Sequence, residues 1–268
     1  MLEISVIIPI FNNKSTIIKT LDSVIIQDFK SIQIVLIDDK SYDDSIIKIE
    51  NYIKSINRKN IEFNLLRNTC NSGAGYSRNQ GIKVAKYEWI AFLDSDDIWL
   101  DNKFAKCFQK MKENNFSIDM IIHWENFIDK NNEIRLMKNG FTKPLELSNK
   151  IVKKLYSKNN FSTSAILLKR EILINNRFDQ TLPNAQDYDL WLRLCINNNL
   201  KILTIKEVLG IYNQRAGSIT SKPYYKRIRS LLRIAIRYRK EVSKFTFFLK
   251  LIKITFSTQW LKSIFKIY

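Results

Sequence analysis

Three carboxylates crowd into four positions at Asp94-Ser95-Asp96-Asp97, in the stretch FLDSDD, directly after an apolar run. Carboxylates so close repel one another and raise each other's pKa unless a cation or an array of donors neutralises them. A hard divalent ion, Mg²⁺ or Mn²⁺, held by one or two carboxylates and by substrate phosphates meets that need. The alternative for the same residues is a solvated turn leading into a helix that starts at Asp96 or Asp97, where the macrodipole favours acids. A second acidic pair, Asp38-Asp39 in IDDKSYDDS, follows another apolar run, and its oxygens suit hydrogen bonds from a base or a ribose. The neighbouring Ser41, Asp43 and Asp44 read instead as helix-capping residues. Between the two acidic loops lies NSGAGYSRNQG, Asn71 to Gly81, whose glycines let backbone approach a ligand and whose Arg78 can face a phosphate. It matches neither GxGxxG nor GxxxxGK[ST], so neither common nucleotide loop is present.

These residues need a frame, and the first hundred positions supply one. Short β-branched runs at Ile4–Pro9, Ile32–Ile37, Ile61–Leu66 and Trp89–Leu93 read as strands. Segments of helical period at Ser15–Gln27, Asp43–Lys54 and Ser77–Ala85 separate them. That alternation predicts a mostly parallel sheet with flanking helices, a Rossmann-like α/β fold, in which ligands bind at the carboxyl ends of the strands. Phe11-Asn12-Asn13, Asp38-Asp39 and Asp94 to Asp97 all sit at such ends. Beyond residue 100 the pattern is mixed, with a helix at Asp101–Asn114, a strand at Met120–Trp124, a turn at Asp129–Glu133, a strand at Thr163–Leu168, a helix at Asp187–Asn197 and a strand at Ile202–Tyr212. The lone histidine, His123, lies in an apolar run and reads as structural, as do Trp191 and Leu194, whereas Trp99 and Trp124 are positioned to border a sugar.

The chain has 268 residues and a formal charge of +18. The charge is concentrated at the end: residues 222–268 hold 13 Lys/Arg against one acid, Glu241, and so carry +12 of it. From Lys226 to Lys244, basic residues recur every three or four positions (Lys226, Arg229, Arg233, Arg237, Lys240, Lys244), with Ile228, Leu231, Leu232, Ala235, Tyr238 and Val242 nearly opposite. Aromatics follow, through FTFFLKLIKITF to Trp260, Phe265 and Tyr268. This composition suits a basic amphipathic helical tail lying on an anionic membrane surface. The competing expectation is a helix packed on the preceding domain. Three cysteines in no CxxC or Cys/His spacing suggest neither a disulfide framework nor a zinc site and fit a reducing compartment. Neither a signal-peptide pattern nor an uninterrupted apolar span is read.

In SVIIPIFNN, VLIDDKSYDDS, NSGAGYSRNQGI, IAFLDSDDIW and QDYDLWLRL, the chain resembles the family 2 glycosyltransferases, motif after motif, over about residues 4 to 220. The resemblance implies a GT-A fold and an inverting transfer from a nucleotide sugar, most often a UDP-sugar. It implies that Asp39, with Asp38 beside it, binds the base, that Pro9 and Phe11 border that base and that Arg78 lies near the nucleotide. Asp94 and Asp96 would form the DxD pair, with Asp96 the metal ligand and Asp94 nearer the ribose or a metal-bound water. Asp187 matches the catalytic base, although its position also suits a helix N-cap. Two departures stand out. Gln186 replaces the Glu that precedes the base, and Arg215 occupies a His position in YNQRAGSIT, where a guanidinium contacts diphosphate but ligates no metal.

The resulting expectation is a metal-dependent (Mn²⁺ or Mg²⁺) hexosyltransferase with a catalytic domain at 1–221, divided into a donor half at 1–100 and an acceptor half at 101–221, and a tail at 222–268. Its partners would be a UDP-sugar and a saccharide acceptor on a polyprenyl diphosphate, as in O-antigen or capsule assembly, with no nucleic acid. It would work in the cytoplasm, peripheral at the inner face of the membrane. A nucleic-acid-binding protein, favoured only by the basic tail, and a nucleotidyltransferase, which would need a glycine-rich phosphate loop absent from Ser5–Asn13, are the rivals.

Overall fold

The computed structural model describes residues 1–141, 148–197, 200–214 and 225–256. At its centre is β1 (Leu2–Ile10), whose almost uninterrupted apolar run reflects burial on both faces. β1 pairs in parallel with β2 (Phe29–Asp38) on one side and with β4 (Trp89–Phe92) on the other, and β2 pairs in parallel with β3 (Ile61–Arg67). The helices α1 (Ile17–Ile25), α2 (Ser45–Ser55) and α3 (Ala74–Val84) make the crossovers. The strand period of two splits β1 between two cores: Ile4, Val6, Ile8 and Ile10 join one, and Ile7 joins the other. Helix α3 lies against the second face closely enough that a Cβ on Gly81 would stand 2.5 Å from Ile7 Cγ2 and 3.0 Å from Ile37 Cδ1.

After β4 come β5 (Ile98–Trp99), α4 (Lys103–Glu113), β6 (Met120–Ile128), β7 (Ile134–Met137), α5 (Ser148–Ser157), β8 (Ile166–Lys169), α6 (Arg170–Ile174), α7 (Gln186–Asn197) and β9 (Ile202–Asn213). The sheet order among the described residues is β3-β2-β1-β4-β8-β6-β9-β5, with β7 on β6. The run of parallel strands is interrupted at β4, because β8 runs antiparallel to both β4 and β6, and parallel pairing returns between β6 and β9. The turn expected at Asp129–Glu133 joins β6 to β7, its Asp129 Oδ1 accepting from Asn131 N at 2.8 Å and Glu133 N at 3.0 Å.

Several expectations need correction. No helix begins at Asp96 or Asp97: the chain passes straight into β5. Helix α3 starts at Ala74, three residues before Ser77, because Gly73, at φ 85°, makes the entry turn. The stretch expected as strand from Thr163 opens as a 3₁₀ turn, Thr163–Ala165. Trp99 does not border a cleft. It is 1 % exposed, and its Nε1 donates to Ser164 O at 2.8 Å. His123, Trp191 and Leu194 are buried as expected.

The tail differs most. It forms two helices, α8 (Tyr225–Arg237) and α9 (Lys244–Thr255), joined through a 3₁₀ turn at Arg239–Glu241, so the basic face drawn from Lys226 to Lys244 is not continuous. The break falls where Arg237 and Tyr238 turn inward to the buried carboxylate of Asp189, at 2.6 and 3.0 Å. Arg237 also pairs with Asp179 at 2.8 Å, and Arg233 donates to Thr181 O at 3.0 Å. Ile234, Ala235, Tyr238 and Ile254 join the core that holds α3 and α7, and Tyr156 OH caps Ala235 O at 2.8 Å. Residues 222–224 and 257–268, with Trp260, Phe265 and Tyr268, lie outside the described residues.

Packing of this kind is measurable. Ile234 is fully buried, so Ile234→Ala should lower unfolding free energy by about 2–5 kcal/mol in a urea titration. An appended helix that does not share the core would give a change within about 0.5 kcal/mol.

Candidate active site

The acidic turn after β4 is fixed from four directions. Asp97 N donates to Asp94 O at 3.0 Å, which closes the turn. From α1 and the residue before it, Thr20 and Thr16 hydroxyls donate to Asp97 O at 2.9 Å and Ser95 O at 2.8 Å. Asn213, at the end of β9, places its Nδ2 2.8 Å from Asp96 O. Ser164 accepts from Asp94 N at 3.2 Å and donates to Asp97 Oδ2 at 2.6 Å, while Asp97 Oδ1 accepts from Asn213 N at 2.9 Å. These contacts sort the side chains of the turn: Ser95 and Asp97 are buried, and Asp94 and Asp96 are part-exposed. Asp97 is therefore structural. Burial pushes its carboxyl well above the usual range, and Asp96, Asp94 and Glu125 push in the same direction.

The loops after β1 and β2 interlock. Asn12 N donates to Ser41 Oγ at 3.0 Å and Asn13 N to Ser45 Oγ at 2.7 Å. Asp38 Oδ1 accepts from Ser41 N at 2.9 Å. Asp39, 3 % exposed, holds the entry to α3: Oδ1 accepts from Asn68 Nδ2 and Ser72 N, both at 2.8 Å, and Oδ2 from Gly73 N at 2.7 Å. Pro9 is buried in β1, and Phe11, 38 % exposed, meets Tyr42 edge-on at 5.9 Å.

Arg78, carried into the interior by α3, is only 7 % exposed. Its guanidinium pairs with Asp94 and lies 5.4 Å from the centre of the Phe178 ring. Asn79, the next residue, fixes that ring's backbone through two 2.9 Å hydrogen bonds with Phe178. Asp187 lies in the first turn of α7, not at its N-cap, and Ala185 before it takes a left-handed φ of 56°. Asn159 Nδ2 approaches Asp187 Oδ2 at 3.3 Å. Burial raises the Asp187 pKa above its ordinary 3.8; the Arg78 charge lowers it and the Asp94 charge raises it. Asp94, Arg78 and Asp187 thus form one electrostatic unit. Gln186 donates to Leu182 O at 2.8 Å, and its amide fills the space where Gly75 lacks a side chain.

Arg215 lies outside the described residues. Among the described residues no group of three or more His, Cys, Asp and Glu side chains gathers to hold a metal. The donor set is two part-exposed carboxylates, Asp94 and Asp96, two positions apart. That set fits a hard divalent ion held by one or two carboxylates and completed by substrate phosphates, not a caged structural ion. Sequence reasoning missed Asn213, Ser164, Thr16, Thr20 and Asn68, whose contacts span 29 or more positions along the chain and leave no local pattern.

Comparison with known proteins follows the same lines. Residues 5–176 match the family model described as glycosyl transferase family 2. A relative from Escherichia coli, the UDP-Glc:alpha-D-GlcNAc-diphosphoundecaprenol beta-1,3-glucosyltransferase WfgD, is 30% identical over 222 residues, covering 82% of this chain and 81% of its own. S. aureus TarS 1-349 in complex with UDP-GlcNAc superposes with a TM-score of 0.74 at 19% identity, covering 98% of this chain and 79% of that one. The mannosyltransferase PcManGT from Pyrobaculum calidifontis, in complex with GDP-Man and Mn2+, gives 0.68 at 14% identity, covering 97% and 72%. The fold is GT-A: a mixed α/β sheet with flanking helices.

The raised pKa of Asp187 has a consequence for stability. The folded chain holds this proton more tightly than the unfolded one, so the stabilising contribution is present below the unfolded pKa and is lost as pH rises through the higher folded value. Asp187→Asn removes that loss. Its Tm should exceed that of the wild type at pH 8, and the gap should shrink as the pH is lowered; a lower Tm at pH 8 would contradict the assignment.

Proposed function

The chain belongs to glycosyl transferase family 2 and is a glycosyltransferase, and from that premise we propose that it moves a hexose or related sugar from UDP to a hydroxyl of a saccharide carried on a polyprenyl diphosphate, with inversion at the anomeric carbon. The observation that carries this reading is the Asp94–Arg78 ion pair beside the raised carboxyl of Asp187. Displacement at an anomeric carbon needs a base on one side and a stabilised leaving diphosphate on the other.

Asp187 takes the proton from the acceptor hydroxyl as the new oxygen–carbon bond forms and the bond from carbon to the diphosphate oxygen breaks. A pKa raised above the ordinary 3.8 suits it to that task. Arg78 presents its guanidinium to the departing diphosphate. Asp96, with Asp94, would hold a Mn²⁺ or Mg²⁺ ion, which when bound supplies further neutralisation of the leaving group. One carboxylate base and a single displacement imply inversion. Asp38, Asp39, Pro9 and Phe11 frame the base and ribose, with Asp39 acting mainly through the Ser72-Gly73 backbone that it holds.

The Escherichia coli relative, named for glucosyl transfer to a diphosphoundecaprenol-linked sugar, supports the lipid-linked acceptor and a role in surface polysaccharide assembly. Such an acceptor would keep the enzyme in the cytoplasm at the inner face of the membrane. The proposed domain division keeps the donor half at 1–100 and the acceptor half at 101–221. The tail is only in part a separate unit, since its described helices share the core.

Asp96→Ala should lower UDP release from UDP-sugar and acceptor by about 10²-fold or more, the scale for losing one group that stabilises developing charge. EDTA should inhibit the wild type and Mn²⁺ restore it. Unchanged turnover in the variant would remove Asp96 from the reaction. In the product, NMR should show the anomeric configuration opposite to the donor's, and retention would contradict single displacement.

A further inference from the structure

Helix α9 uses only one of its faces in the fold. Thr246, Lys250 and Ile254 point inward, and the Lys250 ammonium donates to Tyr188 OH at 3.1 Å, 5.0 Å from that ring's centre. The helix is thereby fixed on the core, and its register cannot rotate to hide the other side. The other side is apolar. Phe245, Phe248, Leu249, Ile252 and Phe256 are 70, 60, 48, 39 and 65 % exposed. Their spacing, i, i+3, i+4, i+7 and i+11, aligns them in one stripe along the helix.

A stripe of large apolar side chains held outward by buried contacts on the reverse side marks an interaction surface rather than scattered exposure. Its surroundings select the partner. Arg239, Lys240, Lys244 and Lys253 are exposed on or beside the same helix, and Glu241 is the single acid from 222 to 268. A second copy of the chain would bring like charge onto like charge, whereas an anionic surface would attract it. The apolar chemistry selects among anionic surfaces: aliphatic and aromatic side chains on a convex helix can enter acyl chains, while a nucleic acid would leave Leu249 and Ile252 in water. No helix among the described residues is long and apolar enough to cross a membrane, so the contact is one of lying on the surface.

We infer that the outward stripe of α9, Phe245, Phe248, Leu249, Ile252 and Phe256, inserts into the interface of an anionic lipid bilayer, with Lys244, Lys253, Arg239 and Lys240 at the level of the phosphates. This rests on the reading of a lipid-linked acceptor and adds a docking face to it. It also moves the contact from the basic face of α8, whose Arg233 and Arg237 are tied to the body of the protein, to the apolar face of α9.

The test is co-sedimentation of the full chain with vesicles of phosphatidylcholine alone and with one-quarter phosphatidylglycerol. No sugar or acceptor is present, so the result is independent of the transfer reaction. Wild-type protein should bind the anionic vesicles at least tenfold more tightly than the neutral ones. The double variant Phe245→Gln, Phe248→Gln changes only exposed residues and should bind at least tenfold more weakly at high salt, where insertion dominates. Lys244→Glu with Lys253→Glu should lose binding at low salt. Circular dichroism and Tm matching the wild type confirm that each variant is folded. Equal sedimentation of wild type and the Phe variant would overturn the inference. So would a dimer in size-exclusion chromatography that the Phe variant dissolves, vesicle binding that appears only on removal of residues 257–268, or tight RNA retention without vesicle binding.

Discussion

One guanidinium balances the charges in this site. Arg78 pairs with Asp94 of the acidic turn, and its field reaches Asp187 on α7, the two carboxylates that the proposed transfer would place on opposite sides of the sugar. Without that cation Asp187 would face both burial and the Asp94 charge unrelieved. Much of the surrounding structure can be understood as holding the guanidinium there. Phe178 lies beneath it, Asn79 fixes Phe178, and the glycines of α3 allow the helix to lie close to β1 and Gln186. Asp39 is fixed on the backbone at the start of the same helix, so the loop expected to receive the base also sets where Arg78 stands.

Beneath the acidic turn is a second, buried group of titratable side chains. Lys103 is fully buried, its ammonium 3.0 Å from Ser164 O and 3.6 Å from the centre of the Trp99 ring. Burial draws its pKa down to about 7, against the opposing pull of Cys107, Glu125 and Asp97. Burial likewise raises Glu125, whose Oε2 accepts from Asn139 at 2.8 Å. Ser164 links this layer to the site above, because one hydroxyl serves both Asp94 N and Asp97 Oδ2. Burial disfavours the charged form of each of these groups, so the layer is weak evidence for net stability.

How far the sequence was legible follows from the range of the interactions. The strands of the donor half could be read because a central parallel strand is apolar throughout, as in Val6-Ile7-Ile8, and the acidic pairs stand out because they interrupt such runs. The resemblance of five motifs named the family, and the match of residues 5–176 bears it out. What failed was decided by tertiary contact. Trp99 looked like a sugar platform until Ser164 and Lys103 enclosed it. Asp97 could be read as a helix start until Asn213, 116 positions away, donated to its carboxylate. The tail showed its amphipathic period, but the period alone did not reveal that Asp189 would break the helix at Tyr238. Short elements such as β5 and α6 carry too few residues to show a period at all.

If Arg78 sets the proton affinity of Asp187, the proposed base, while also neutralising the donor side, the pH dependence of kcat/KM will report it. In wild type the acid limb should lie above the ordinary carboxylate value of 3.8, because burial raises Asp187 more than Arg78 lowers it. Arg78→Gln should lower the rate at every pH, because the proposed contact with diphosphate is lost. The acid limb should also move to higher pH, since the charge favouring ionised Asp187 is gone. A variant with reduced rate and an unmoved limb would contradict it.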